Sequence, residues 1–123
     1  MWNILRERWR QQHRTIAYPA APATVPDRLR GLPLLDDSKC QDGCRACADA
    51  CPTDAIQLRP KGAPGGALQL DLGRCLFCTD CQEACPEGAI AYTQEYRLAT
   101  RTRDDLILHG QTLKRVARRY SWV

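Results

Sequence analysis

The sequence is poor in aromatic residues and in long apolar runs. Its 123 residues include three Trp, four Tyr and one Phe, and residues 40–76 contain no aromatic side chain. No segment approaches the roughly 20 apolar residues of a membrane-spanning helix. The first residues, MWNILRERWRQQHR, also lack the apolar stretch of a secretory signal. We therefore expect a small protein in a reducing cytoplasm, with a core that needs a further source of stability.

Motifs for catalysis and nucleotide binding are missing as well. The sequence contains no Gly-rich phosphate loop, no nucleophile paired with a base, and no flavin or nicotinamide fingerprint. Its two histidines, His13 and His109, lie outside the cysteine runs and are predicted to be surface residues rather than ligands. We expect no catalytic site and no small-molecule substrate for this chain alone.

Charge is unevenly distributed around a net value of +4. Residues 1–30 carry +4, residues 31–93 carry −4, and residues 94–123 carry +4. Basic arms of this kind suit nucleic acid, anionic lipid or an acidic partner protein, and charge alone does not choose among them.

Eight cysteines lie in the acidic centre, in two runs that repeat each other. The segment CRACADACPTDAIQL, from Cys44, aligns with CTDCQEACPEGAIAY, from Cys78, at an offset of 34 residues. Each copy is predicted to form a cysteine loop, a helical turn (residues 48–51 or 82–85) and a short strand after the proline. Residues 56–58 and 68–70 alternate apolar and polar positions around KGAPGG, which predicts a hairpin with a loose turn.

The second run has the spacing C-x2-C-x2-C-x3-C-P, which binds iron-sulfur clusters in bacterial ferredoxins, and its fourth cysteine ligates the other cluster. Three thiolates on a tightly curved loop can reach three corners of one cube, while the fourth lies across a helical turn that the proline ends. The spacing therefore predicts two 4Fe-4S clusters. The expected ligands are Cys40, Cys44, Cys47 and Cys85 for cluster one, and Cys75, Cys78, Cys81 and Cys51 for cluster two.

The first run differs by one residue inserted between Cys40 and Cys44. Gly43 can take backbone angles that are closed to other residues, so we expect Asp42 and Gly43 to bulge outward while Cys40 still reaches its iron. The alternative is that Cys40 is a labile ligand. Structural zinc also uses C-x2-C pairs, but two four-cysteine runs that each end in proline favour iron-sulfur clusters over zinc, and over disulfides in a reducing compartment.

Both ends of the chain carry amphipathic patterns. Trp2, Leu5 and Trp9 recur at helical spacing among arginines, which predicts a basic helix lying in the headgroup layer, against a partner subunit, or back on its own core. Prolines within residues 15–35 predict an irregular arm ordered by another surface. At the other end, Thr102 with Asp104 and Asp105 predicts the start of a helix. Its apolar stripe comprises Leu106, Leu113, Val116 and Tyr120, and Gly110 weakens this helix by about 1 kcal/mol relative to Ala.

With the cysteines placed, residues 38–93 resemble dicluster bacterial-type ferredoxins. A longer resemblance, over roughly residues 18–105, is to the ferredoxin-like subunit of formate hydrogenlyase and of energy-converting (group 4) nickel-iron hydrogenases, which is related to the two-cluster iron-sulfur subunit of respiratory complex I. Outside the cysteines, the elements that carry it are Tyr18-Pro19, Arg30-Gly31-Leu32-Pro33 and Gln94-Glu95-Tyr96.

This resemblance implies an α+β fold with a pseudo-two-fold, ferredoxin-like core and an extended N-terminal arm. Together with the patterns at both ends, it predicts an amphipathic helix and extended partner-binding arm (residues 1–37), a dicluster ferredoxin domain (residues 38–93) and a basic helical tail (residues 94–123). It also implies an electron-relay subunit of a membrane-associated, complex I-like hydrogenase or dehydrogenase, peripheral on the cytoplasmic face of the inner membrane. The implied partners are hydrogenase-like small and large subunits and another iron-sulfur electron-donor or electron-acceptor subunit.

Two other functions stay open. A free, soluble dicluster ferredoxin would carry the same cysteines, although it seldom needs two basic arms. A nucleic-acid-binding iron-sulfur protein would use those arms, but they lack interleaved aromatic residues suited to stacking on bases.

Overall fold

A computed structural model defines the fold and describes residues 2–12, 14–64 and 66–110. Short helices and antiparallel strands alternate along the chain, as an α+β fold requires. In chain order they are α1 (Trp2–Gln11), β1 (Pro33–Leu35), α2 (Ala46–Asp49), β2 (Ile56–Leu58), β3 (Leu68–Asp71), α3 (Asp80–Ala84), β4 (Ile90–Tyr92) and β5 (Ile107–His109). Single 3-10 turns cover Asp37–Lys39 and Asp104–Leu106.

Two antiparallel sheets connect the two copies of the repeat. β1 pairs with β4, with Leu35 opposite Ile90. β2 pairs with β3, with Ile56 opposite Leu70, and β3 also pairs with β5. The strand after each cysteine run therefore pairs with the strand that leads into the other run, and the two copies are interlocked.

The local elements of the repeat largely follow the sequence predictions. The hairpin is confirmed, because Leu58 in β2 lies opposite Leu68 in β3. The two helical turns begin earlier than residues 48 and 82, so that α2 includes Cys47 and α3 includes Cys81. The third cysteine of each run is thus a helical residue, and its side chain is buried.

The hydrophobic core lies between the sheets and the cysteine runs and is small. Among the described residues, its largest fully buried side chains are Leu68, Leu70 and Ile90. The buried cysteines of α2 and α3 pack in this same hydrophobic core. Full burial of an aliphatic side chain stabilises by only about 1.5–3 kcal/mol. A core of this size agrees with the expectation that the cysteines must add stability.

Helix α1 forms as predicted, but none of its residues is buried. Trp2 is 85% exposed and Trp9 is 84% exposed. The alternative in which this helix folds back on its own core is therefore wrong. Within the described part of the chain, no helix has the length and apolarity needed to span a bilayer.

The irregular arm ends earlier than expected. Residues 15–35 were predicted to lack regular structure, yet Pro33–Leu35 form strand β1. Proline is tolerated there because it occupies the first residue of a strand in a two-stranded sheet, where a missing N–H removes little from the ladder.

The helix predicted from Thr102 is wrong for residues 102–110. Strand β5 follows a 3-10 turn, and Leu108 is buried opposite Leu70 of β3. Burial of this side chain in a sheet outweighs the local preference for a helix start. A Cβ at Gly110 would come within 2.1 Å of the Asp37 carboxylate, so this glycine permits close packing.

His109 is also placed differently from its prediction. It lies in β5 opposite Gln69 and is half-buried. The rest of the predicted C-terminal stripe, Leu113, Val116 and Tyr120, lies outside the described residues, as does His13.

Candidate iron-sulfur sites

The thiols predicted for cluster one come together from both runs. The loop after the 3-10 turn supplies two of them, α2 supplies one, and the end of α3 supplies the fourth. They line one small cavity, and they are Cys40, Cys44, Cys47 and Cys85. The second run therefore contributes its last cysteine to the site of the first run.

The thiols predicted for cluster two are also neighbours. The charges of Cys75, Cys51 and Cys78 all act on the Cys81 thiol. The hydroxyl of Tyr92 lies 3.7 Å from Cys81 Sγ and 3.8 Å from Cys75 Sγ. Cys51, at the end of the first run, thus lies with the loop of the second run.

The electrostatics of both sites disfavour free thiolates. Burial, followed by the charges of Cys85 and Cys40, raises the pKa of the Cys47 thiol to about 11. Burial also raises the pKa of Cys81. Crowded thiols in a partly dry site resist ionisation on their own, and bound cations reverse that preference. The sites are therefore suited to metal-bound thiolates.

Backbone N–H groups point at the sulfur that closes each run. Ala55 N donates to Cys51 Sγ at 3.3 Å, and the equivalent Ala89 N donates to Cys85 Sγ at 3.3 Å. At Cys51, burial raises the pKa, but the backbone N–H groups that follow outweigh it and the pKa is lowered. Both copies thus place a donor on the thiol that crosses to the other site.

The inserted residue of the first run is accommodated as predicted. Gly43 has a φ of +78°, in the region that favours glycine. A Cβ at this position would meet no atom within 4 Å. Lys61 Nζ pairs with Asp42 at 3.1 Å on the outside of the loop. The bulge therefore points outward, while Cys40 remains at the cavity.

Two segments outside the cysteines lie against each other. Gly31 N donates to Thr93 O at 2.7 Å, and Leu32 N donates to Glu95 O at 2.8 Å. These contacts continue the β1–β4 pairing beyond the strands. Two of the three elements that carry the longer resemblance, Arg30-Gly31-Leu32-Pro33 and Gln94-Glu95-Tyr96, therefore form one structural unit.

Sequence reasoning missed two residues at the second site. Arg30 Nη1 donates to the carbonyls of Phe77 at 3.2 Å and Cys78 at 3.1 Å, in the loop of the second run. Tyr92 contacts two predicted ligands of that site. The repeat contained a signal for Tyr92, because the equivalent residue of the first copy is Leu58.

The arrangement of two interlocked four-thiol sites defines a class of protein. Residues 39–89 match the family described as 4Fe-4S dicluster domain. This match agrees with the two clusters expected from the cysteine spacing.

Similarity to two other protein sequences identifies a more specific family. NADH-quinone oxidoreductase subunit I 2 of Geobacter metallireducens is 32% identical over 108 residues, which cover 80% of this chain and 82% of the relative. Formate hydrogenlyase subunit 6 of Escherichia coli is 35% identical over 94 residues, which cover 76% of this chain and 52% of that subunit. The chain belongs to the family of NADH-quinone oxidoreductase subunit I, and the resemblance inferred from the sequence is confirmed.

A solved structure extends the similarity to the fold. A chain in the membrane-bound sulfane sulfur reductase, an archaeal respiratory membrane complex, matches with a TM-score of 0.64 and 33% identity. The match covers 84% of this chain and 55% of that one. The chain spans about half the length of several of its curated relatives, with coverage of 49% and 58% in two other quinone oxidoreductase subunits.

Proposed function

We propose that this chain is an electron-transfer relay carrying two 4Fe-4S clusters within a membrane-associated, complex I-like hydrogenase or dehydrogenase. One observation carries the proposal: the runs exchange their last cysteines, so that Cys85 lines the cavity of the first run and Cys51 lies with the second. Because each run contributes to both sites, the two sites belong to one structural unit. A relay with two consecutive stations needs such a unit.

The donor sets fit this cofactor. Four cysteine thiolates are the usual ligands of a 4Fe-4S cube, one on each iron. Across residues 2–12, 14–64 and 66–110, no three His, Cys, Asp or Glu side chains lie close enough to share a single metal ion. We assign Cys40, Cys44, Cys47 and Cys85 to cluster one, and Cys75, Cys78, Cys81 and Cys51 to cluster two. The exchanged strands support a pseudo-two-fold core that includes β1 (Pro33–Leu35) in addition to the predicted residues 38–93.

The chain's own residues position and shield the clusters. A bound 4Fe-4S cluster supplies one-electron chemistry over a range of roughly −700 to +450 mV. Cys47 and Cys81 are buried, while the other six thiols are half-buried. Each site therefore faces the interior on one side and the surface on the other. This placement suits electron passage between the sites and exchange with a partner.

Helix α1 supports peripheral contact with a membrane. Its apolar side chains are exposed, and Arg6, Arg8 and Arg10 lie among them. A basic helix with exposed Trp residues suits the headgroup layer. We place the chain on the cytoplasmic face of the inner membrane, next to hydrogenase-like small and large subunits and another iron-sulfur subunit. The relatives named as subunits of larger enzymes support this assignment.

Anaerobic affinity purification of the full chain from solubilised native membranes tests the proposal. Co-purifying chains would be identified and hydrogenase activity assayed. Recovery with a nickel-iron large subunit and membrane subunits would support the relay. Recovery alone from the soluble fraction would instead indicate a free dicluster ferredoxin. After anaerobic reconstitution, the chain should hold about eight irons, four for each cluster, and a value well below this would overturn the relay.

A further inference from the structure

We propose that cluster two has the higher reduction potential of the two clusters, so that an electron on this subunit resides at the Cys75, Cys78, Cys81 and Cys51 site. This inference deepens the relay function and rests on it. Its basis is a set of hydrogen-bond donors at the thiols of site two that the equivalent positions of site one do not provide.

Tyr92 is the first difference. Its hydroxyl lies within hydrogen-bond distance of two thiols, at 3.7 Å from Cys81 Sγ and 3.8 Å from Cys75 Sγ. An edge-on contact with the Phe77 ring, 6.2 Å between centroids, holds the side chain in place. In the first copy the equivalent residue is Leu58, which carries no donor.

Leu58 is a valid counterpart because it takes the same place relative to its own run. It lines a groove together with Cys40 and Cys44, two of the predicted cluster-one ligands. The repeat therefore presents an aliphatic side chain to site one and a hydroxyl to site two.

A second difference follows the closing prolines. Thr53 Oγ1 lies 3.7 Å from Cys51 Sγ and can donate to it. The equivalent residue in the other copy is Glu87, which lines the cavity of site one. Its carboxylate accepts a hydrogen bond from Gln41 Nε2 at 2.8 Å. Site two thus gains a hydroxyl donor where site one has an anion.

The cysteine loops supply a third difference. Phe77 N donates to Cys75 Sγ at 3.4 Å. In the first loop, which contains the inserted residue, Cys40 Sγ instead lies 3.8 Å from the carbonyl oxygen of Gln41. The guanidinium of Arg30 also lies against the second loop. The second loop therefore adds a backbone N–H to site two. Cations lie near both sites, because Lys39 lines the cavity of site one and Lys61 lines the groove beside Cys40, so charge of this sign does not distinguish them.

These differences act in one direction. A cube that gains an electron becomes more negative, so hydrogen-bond donors to its cysteine sulfurs stabilise the reduced form more than the oxidised form, and a nearby carboxylate such as Glu87 does the opposite. Hydrogen bonds to the sulfurs and net charge are among the factors that set cluster potentials. Transfer of one electron from cluster one to cluster two oxidises the first and reduces the second, with no bond formed and no proton moved.

Redox titration of the anaerobically reconstituted full chain, followed by electron paramagnetic resonance, measures both potentials. Cys78→Ser identifies the signal of cluster two by perturbing it. We expect cluster two to be favoured at least tenfold for the electron, which corresponds to about 59 mV. Tyr92→Phe removes only the hydroxyl and should lower the reduction potential of cluster two. The preference of the electron for cluster two should then fall several-fold, while the potential of cluster one stays unchanged.

Two further variants separate the loss of a hydrogen-bond donor from a general change in packing. Thr53→Val removes a second donor with little change of shape and should also lower the potential of cluster two. Leu58→Phe enlarges the equivalent position without adding a donor and should leave cluster two unchanged. If two clusters form but their potentials are equal, or Tyr92→Phe and Thr53→Val both leave cluster two unmoved, this inference is wrong while the relay stands. If two clusters do not form, the relay function itself fails.

Discussion

Gly31 lies so close to the backbone of Glu95 that a Cβ at residue 31 would come within 2.2 Å of the Glu95 carbonyl oxygen. That oxygen accepts a hydrogen bond from Leu32 N at 2.8 Å. The contact seats the segment before β1 on the segment after β4, and it holds the neighbouring Arg30 over the second cysteine loop.

Gly31→Ala should therefore destabilise the protein strongly. The backbone must move apart, with an overpacking cost of about 1–3 kcal/mol and a further loss of about 1 kcal/mol for a displaced hydrogen bond. Anaerobic denaturant unfolding of the cluster-loaded chain measures the change in the free energy of unfolding. Gly62→Ala is the control, because its φ is +90° and a Cβ there meets nothing within 4 Å. It should cost only the backbone strain of about 1–2 kcal/mol, and equal costs for both variants would contradict the packing argument.

The exchange of cysteines between the runs predicts which cluster each cysteine variant loses. Cys85→Ser should impair cluster one, although Cys85 belongs to the second run, because its thiol lines the cavity with Cys40. Cys78→Ser, a matched change in the same run, should impair cluster two. Iron content and electron paramagnetic resonance of each reconstituted variant measure the outcome, with about four irons retained if one cluster is lost. Loss of the same signal in both variants would disprove the ligand assignment.

The pairing of Asp71 with Arg103 predicts a stability effect with a defined pH range. Arg103 Nη1 donates to Asp71 Oδ1 at 2.6 Å, and Nη2 bonds the other carboxylate oxygen. Hydrogen bonds from Arg103 lower the pKa of Asp71. A carboxyl group with a lowered pKa contributes stability that is present above its ordinary pKa of about 3.9 and is lost only as pH falls below that value.

Asp71→Asn should therefore destabilise the chain by a constant amount from pH 8 to pH 5. Denaturant unfolding of the wild-type and variant proteins across this range checks it. Asp49→Asn provides a control, since Asp49 forms an exposed ion pair with Arg45 at 3.6 Å, and such pairs contribute about 0–1 kcal/mol. A difference between wild type and Asp71→Asn that shrinks well above pH 5 would show that the pKa of Asp71 is not lowered.

Helix α1 predicts binding to anionic lipid. Arg6→Gln should weaken co-sedimentation of the full chain with phosphatidylglycerol vesicles by about fivefold, since a basic residue near an anionic surface contributes about 1 kcal/mol. Trp9→Ser should weaken it as well, because the exposed indole would no longer enter the interface. Ile16→Ser removes an exposed apolar side chain outside the helix and should have little effect. A wild-type chain that fails to bind these vesicles would assign the helix to a protein partner instead.

The cofactor chemistry could be read from the chain because it depends on local spacing. A C-x2-C-x2-C loop and a fourth cysteine ahead of a proline carry their geometry within about twelve residues. The outward bulge at Gly43 and the hairpin of β2 and β3 follow from equally short patterns. Helix α1 was also predictable, because Trp2, Leu5 and Trp9 repeat at helical spacing.

Contacts between distant residues were beyond such patterns. Residues 104–108 resemble the start of a helix, but Leu108 is drawn into a sheet because β3 offers it a buried partner edge. Arg30 reaches a loop 48 residues away, and Tyr92 reaches thiols in the other half of its own copy. The sequence therefore predicts which atoms bind the clusters, whereas the folded chain alone established the surroundings that distinguish one site from the other. Ligand spacing is a local property of the backbone, and the polarity around a sulfur depends on which remote segments pack against it.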